Sequence, residues 1–165
     1  VPTMTIRVGI NGFGRIGRNF FRAVRQSGAD VEIVAANDLG SVPAMAHLLK
    51  YDTVMGRLDA TVEATDDGIL VDGKLLKITA IRDPKDLPWK ELGVDIVVES
   101  TGFFTDRDKA AAHLAAGGEP RRINRMAAFD VGLFKGKLAT ERPAIHRSPP
   151  IAGTGAARLL LVLNP

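Results

Sequence analysis

Three glycines spaced Gly12-x-Gly14-x-x-Gly17 sit in the stretch NGFGRIGRNF, directly after the apolar run IRVGI. In a turn that leaves a strand and opens a helix, this spacing makes a cradle for a dinucleotide. Gly12 permits the tight turn, Gly14 removes a side chain so that a pyrophosphate can approach the backbone, and Gly17 lets the helix pack closely on the strand. The helix N-terminus then offers free N–H groups and about half an elementary positive charge. Asp38 closes the run VEIVAAND, 26 residues after Gly12. The acid that holds the adenosine ribose is expected roughly 20 residues on. A carboxylate there accepts hydrogen bonds from ribose hydroxyls and repels a 2′-phosphate, which favours NAD over NADP. Two blander readings stay open: a glycine-rich turn with no ligand, and an Asp38 that only caps the next helix.

The elements around the motif must place it. Thr5–Ile10 has the length and bounding glycine of a strand. Phe13–Gln26 has helical spacing, with Ile16, Phe20 and Val24 on one face and Arg15, Arg18, Arg22 and Arg25 largely on the other. Gly28 is placed to end that helix. Val31–Ala36 reads as a second strand, and Val42–Tyr51 as a helix with Ala44, Leu48 and Tyr51 in register. Strand, glycine-opened helix and strand make a βαβ unit and imply a parallel sheet. Thr61–Ile81 differs: short alternating runs broken by Asp67-Gly68 and Asp72-Gly73 predict antiparallel hairpins inserted into the α/β pattern. Further on, a short helix is expected at Leu87–Leu92 and a buried strand at Val94–Ser100. A helix is expected over Asp106–Ala116, capped by Thr105 and Gly117.

Composition limits the alternatives. The 165 residues are 45% hydrophobic and 25% charged, ordinary for a globular chain with a real core. No apolar run approaches the roughly 20 residues of a membrane span. The N-terminus lacks the basic and long apolar regions of a secretory signal, so a cytoplasmic location is expected. There is no cysteine, hence no disulfide, no thiolate metal site and no thiol nucleophile. His47, His113 and His146 share no metal-ligand spacing, and packing or surface roles are the default for them.

The charge is uneven. Residues 1–118 carry 14 Lys and Arg against 16 Asp and Glu, whereas residues 119–165 carry 8 against 3. That tail also holds five of the nine prolines and has no sustained period. Only Leu159–Leu163 could form a buried strand, and left unpaired it would invite aggregation. A basic tail can bind nucleic acid, but Phe129 and Phe134 are its only aromatics and no nucleic-acid motif surrounds them.

Four segments in order, VGINGFGRIGR, AANDL, HLLKYDTVMGR and ESTGFFT, closely resemble the phosphorylating, NAD-dependent glyceraldehyde-3-phosphate dehydrogenases, from about Thr5 to Gly117. Erythrose-4-phosphate dehydrogenases share much of the pattern. The resemblance implies that Asn11, Gly12, Phe13, Gly14, Arg15 and Ile16, with Gly17 behind them, lie along the NAD pyrophosphate. It likewise implies Asn37 and Asp38 at the adenosine ribose, Arg82 beside the adenine, and Thr101 and Gly102 near the cofactor at a strand end. Arg82 could instead be simply a surface arginine after a strand and Thr101 a turn residue, alternatives that the shared spacing disfavours.

The resemblance stops at Gly118. The family continues with a further parallel strand, then a segment carrying a catalytic cysteine, then a substrate domain. Here GGEPRRINRM follows instead. The sequence therefore predicts a Rossmann-type α/β domain over residues 1–118, with a mostly parallel sheet, inserted antiparallel hairpins and an incomplete C-terminal edge. Residues 119–165 are expected to be an atypical Pro/Arg-rich tail, with a frame-shifted coding sequence as the simplest origin and a real, shortened protein with a repurposed tail as the competing account. Function is expected to be NAD binding without turnover, as the cofactor half of a glycolytic oxidoreductase. The rival is a non-enzymatic NAD-binding or scaffold module. A homo-oligomer or assembly with full-length relatives is a further expectation.

Overall fold

A computed structural model describes residues 5–103 of the chain and the backbone of residues 145–146 and 159–162. The chain opens with β1 (Ile6–Asn11), α1 (Arg15–Ser27), β2 (Val31–Asn37) and α2 (Val42–Lys50). A two-residue hairpin, β3 (Tyr51–Asp52) and β4 (Gly56–Arg57), follows. Then come β5 (Val62–Ala64), β6 (Gly68–Val71), β7 (Lys74–Thr79) and β8 (Ile96–Glu99), and in the tail β9 (Ile145–His146) and β10 (Leu159–Val162).

Eight strands form one sheet in the order β5-β6-β7-β2-β1-β8-β10-β9. The run β7-β2-β1-β8-β10 is parallel, and β5, β6 and β9 join antiparallel. From β1 the chain winds outward through β2 to β7, then returns to place β8 on the other side of β1. The crevice at the carboxyl ends of β1 and β8 is thus the point where strand order reverses, the place where doubly wound sheets bind ligands.

The sheet buries both faces. Val8 and Ile10 of β1 point to one face, where Phe20 and Val24 of α1 and Met45, Ala46 and Leu49 of α2 pack with Ile69, Val71 and Leu76. On the opposite face Trp89 and Leu87 pack with Ala35. Trp89 lies so close over β1 that a Cβ on Gly9 would come within 2.7 Å of its ring.

The expected βαβ unit and inserted hairpins are present. Asp72 and Gly73 both take positive φ, 48° and 77°, in the two-residue turn between β6 and β7. Gly28 ends α1 at φ 64°, in the left-handed region. Several details differ. Arg22 was expected on the solvent face of α1 but is buried, only 3% exposed. Its guanidinium donates to the carbonyls of Leu49 (2.6 Å), Lys50 (3.3 Å) and Gly56 (3.0 Å). It therefore binds carbonyls at the C-terminus of α2 and in β4, which hydrophobicity patterns do not see. On α2 the buried residues are Met45, Ala46 and Leu49, while Leu48 and Tyr51 are exposed, so the expected face was one position off.

Leu87–Leu92 is not a helix. A 3-10 turn at Pro84–Asp86 precedes it, and Pro88 forces a break before the turns that close at Gly93. The expected helix over Asp106–Ala116 and its caps lie outside the described residues. The apolar tail segment does pair: β10 lies parallel to β8, with Leu159 opposite Ile96 and Val162 opposite Glu99.

Candidate dinucleotide site

The carboxyl ends of the parallel strands meet in register. The Asp38 N–H donates to the Thr79 carbonyl (2.9 Å), the Gly12 N–H to that of Asn37 (2.8 Å), and the Ser100 N–H to that of Asn11 (2.8 Å). Each ladder thus continues one step past its strand, so the loop after β1 starts from a fixed platform.

Each glycine has its own surroundings. Gly12 has φ 91°, and a Cβ there would strike the Ser100 and Thr101 backbone at 2.7–2.9 Å. Ser100 closes this contact by donating its Oγ hydrogen to the Gly12 carbonyl at 2.6 Å. A Cβ on Gly17 would lie 2.2 Å from the Gly12 carbonyl oxygen, so α1 can approach the loop only with glycine there. Gly14 is the opposite case: a Cβ there would meet nothing within 4 Å. No packing demand of the described residues calls for glycine at that position. The space that a side chain would fill is left open at the start of α1.

That helix end suits an anion. Gly14 is its N-cap, with no side-chain cap among the described residues and no acid in the first turn. Arg15 is exposed in that turn and Ile16 half-buried beside it. Phe13 is fully buried, edge-on to Phe21 at 6.3 Å between ring centres, and its carbonyl accepts from Arg18 Nη1 at 2.9 Å. Burial lowers the proton affinity of the Arg18 guanidinium, and Asp52 and Asp38 oppose that effect.

Asp38 stands at the end of β2 with its carboxylate turned to the loop. Its Oδ2 accepts the Phe13 N–H (2.8 Å) and its Oδ1 the Gly40 N–H (2.9 Å). The helix-cap alternative is not what is seen: Ser41 caps α2, accepting from the Ala44 N–H at 3.4 Å. Asn37 is buried and acts inward. Its amide donates to Asn11 Oδ1 and the Ile81 carbonyl (2.8 Å each), and its Oδ1 accepts from Thr79 Oγ1 (2.9 Å) and the Ile81 N–H (2.8 Å). Asn37 so fixes the turn that presents Arg82, which is exposed. Thr101 and the exposed Gly102 lie just past β8, and Thr101 donates to Glu99 from both its N–H (2.8 Å) and its Oγ1 (2.5 Å).

The structure therefore gathers the loop, Asn37, Asp38 and Thr101 at one edge of the sheet. Two residues there had no assigned role in the sequence. Glu99 and Ser100 belong to the motif ESTGFFT, and the signal that marks Glu99 is an acid ending the otherwise apolar strand IVVE. His47 is exposed on α2 with its ring 4.9 Å from that of Tyr51, and no metal-binding cluster exists among the described residues. A concavity of about 580 Å³, lined by Lys50, Arg57, Leu58 and Asp72, shares no residue with the glycine loop. Among the described residues no helix is long and apolar enough to cross a membrane.

A glycine loop between strand and helix at the switch point, with an acid at the end of the neighbouring strand, defines a Rossmann-type dinucleotide-binding domain. A family model described as glyceraldehyde 3-phosphate dehydrogenase, NAD binding domain, matches residues 6–107, and the chain belongs to that family. NAD is the cofactor of this domain. A glyceraldehyde-3-phosphate dehydrogenase from Streptomyces coelicolor is 63% identical over 124 residues, covering 75% of this chain and 37% of the relative. One from Geobacillus stearothermophilus is 57% identical over 116 residues (70% and 34%). A chloroplastic one from Chondrus crispus is 51% identical over 135 residues (81% and 33%). The chain spans about a third of the length of these curated relatives. A second model, described as a protein of unknown function, matches residues 100–164.

Proposed function

We propose that the chain supplies the NAD-binding portion of a phosphorylating glyceraldehyde-3-phosphate dehydrogenase-like oxidoreductase of glycolysis, and that these 165 residues alone do not turn over substrate. The observation that carries the reading is Gly14, whose missing side chain leaves an open space at an uncapped helix N-terminus. Asn11 to Gly17 then take the pyrophosphate on backbone N–H groups, Asn37 and Asp38 serve the adenosine ribose, Arg82 flanks the adenine, and Thr101 and Gly102 border the nicotinamide side. Asp38 sets NAD above NADP by charge. Aldehyde oxidation by the family's covalent route needs a thiolate that attacks the carbonyl, and no thiol is present in these residues.

The absent thiol also favours the second reading, a non-enzymatic NAD-binding or scaffold module. An erythrose-4-phosphate dehydrogenase parentage differs only in substrate. In the same proposal residues 1–118 form the cofactor domain, residues 119–165 are an atypical Pro/Arg-rich tail, and the protein works in the cytoplasm, alone or assembled with full-length relatives. A frame-shift origin of the tail predicts that another reading frame past the Gly118 codon restores the family pattern. The match over residues 100–164 favours the rival, a genuine repurposed tail.

Calorimetric titration of the purified chain with NAD tests the cofactor reading, with Asp38→Ala as control. Binding that weakens at least tenfold in the variant, with the NAD-to-NADP preference narrowed, is the expected result. A folded chain that gives no heat overturns it. Turnover of glyceraldehyde 3-phosphate with NAD and phosphate, surviving purification, would overturn the statement of inactivity.

A further inference from the structure

Glu99 is 1% exposed, yet it lies at the carboxyl end of β8 beside the switch-point crevice. Both its oxygens are in use. Oε2 accepts from Asn11 Nδ2 at 2.7 Å, and Oε1 accepts from the Thr101 N–H at 2.8 Å and Thr101 Oγ1 at 2.5 Å. Asn11 and Thr101 are 90 positions apart and stand on the two sides of the crevice. The link continues through Asn11 Oδ1 to Asn37, and from Asn37 to Thr79 and Ile81. One chain of buried and part-buried hydrogen bonds therefore ties the carboxyl ends of β7, β2, β1 and β8.

We propose that Glu99 is a positioning residue that sets the width of the crevice for the pyrophosphate–nicotinamide half of NAD. Its carboxylate holds the start of the glycine loop and the turn after β8 at one separation, and it touches no ligand itself. A carboxylate suits this place because it only accepts, and three donors of the described residues converge on it. An amide puts an N–H₂ opposite one of those donors and leaves a buried clash of donors, worth far more than an exposed bond. Backbone contacts already hold the outer part of the platform, since Gly12 and Ser100 are pinned by main-chain hydrogen bonds. Ser100 Oγ ties across the gap to the Gly12 carbonyl at 2.6 Å; Glu99 adds a tie between the Asn11 and Thr101 side chains, and a ligand spanning the gap must feel it while a ligand confined to the β2 side need not.

This inference rests on the NAD reading, and the test separates the two. The full chain, Glu99→Gln, Thr101→Val, Thr101→Ser and the double variant Glu99→Gln/Thr101→Val are titrated with NAD and, separately, with AMP. Emission of the sole tryptophan, Trp89, buried against β1, checks the fold of each. Glu99→Gln is expected to weaken NAD about tenfold, the scale of one opposed buried donor, and AMP by less than about twofold. Thr101→Val should weaken NAD, Thr101→Ser should restore it, and the double variant should lose no more than Glu99→Gln alone. If Glu99→Gln does not fold, the Thr101 pair carries the same comparison of NAD with AMP. Unchanged NAD affinity in a folded Glu99→Gln, equal losses for NAD and AMP, or losses that multiply in the double variant each overturn the proposal. Absence of NAD binding in the unaltered chain instead overturns the cofactor reading beneath it.

Discussion

At the level of single residues, the three glycines of one motif answer to different physics, and substitution should separate them. Gly14→Ala places a methyl in open space at φ −72°, a backbone that alanine accepts. Its cost to stability should stay within about 1 kcal/mol, the scale of a poorer N-cap. NAD affinity should nevertheless fall more than tenfold, because the methyl occupies the phosphate's place. Gly17→Ala meets the Gly12 carbonyl oxygen at 2.2 Å and should cost about 2 kcal/mol or more, by urea melting without ligand. Equal stability losses would show that the space at Gly14 is not open, and unchanged NAD affinity in Gly14→Ala would show that it is not a ligand's. The motif was legible in the sequence because its spacing encodes a local turn. The tie from Asn11 to Glu99 was not: it joins residues 88 apart, and only the strand order brings them together.

Elements were legible where a single period governed them and misread where a partner element decided. The arginine stripe of α1 was expected largely on the face away from Ile16, Phe20 and Val24, yet Arg22 turns inward, where it meets the carbonyls that end α2. Arg22→Leu keeps bulk but removes the donors to the Leu49 and Gly56 carbonyls and one of the two to Lys50, so it should destabilise the chain by about 3 kcal/mol. Arg22→Lys should recover only part of that, since one ammonium cannot serve the fork. Equal stability of Arg22→Leu and the unaltered chain would show that water replaces the guanidinium.

The β3–β4 hairpin just beyond has a pH signature of its own. N–H groups of Met55, first, and Val54 hold the Asp52 carboxyl below the usual carboxylate range. A lowered folded-state pKa stabilises the fold above the unfolded value, about 3.9, and that contribution is lost as pH falls through the folded value. Urea midpoints compared at pH 6 and pH 3 should therefore drop less for Asp52→Asn, which keeps a neutral acceptor. An identical drop in both proteins would remove Asp52 from the account. The two-residue strands themselves escaped the sequence reading, because so short a run has no period to detect.

Over the whole molecule, the sheet continues beyond the point where family resemblance in the sequence stops. β8 would present an unpaired parallel edge next to the switch point, and open edges recruit other chains. The run Leu159–Val162 meets that edge residue for residue, and β9 then covers β10. The pairing asks little of the sequence. A buried parallel strand needs a short apolar run rich in β-formers, and LLLVL was recognisable as one without any resemblance to a known family. Which strand it would join was not readable, since 59 residues separate it from β8 and no periodic element spans them in the described residues. Ending the chain at residue 144 removes β9 and β10 and should expose the β8 edge. The shortened protein should show a lower urea midpoint than the full chain and a sedimentation coefficient that rises with concentration. Its β1–α1–β2 unit is untouched, so NAD should still raise its midpoint, as binding to the folded state alone must. A shortened chain with the full chain's midpoint and no self-association would mean that the tail strand adds nothing to the sheet.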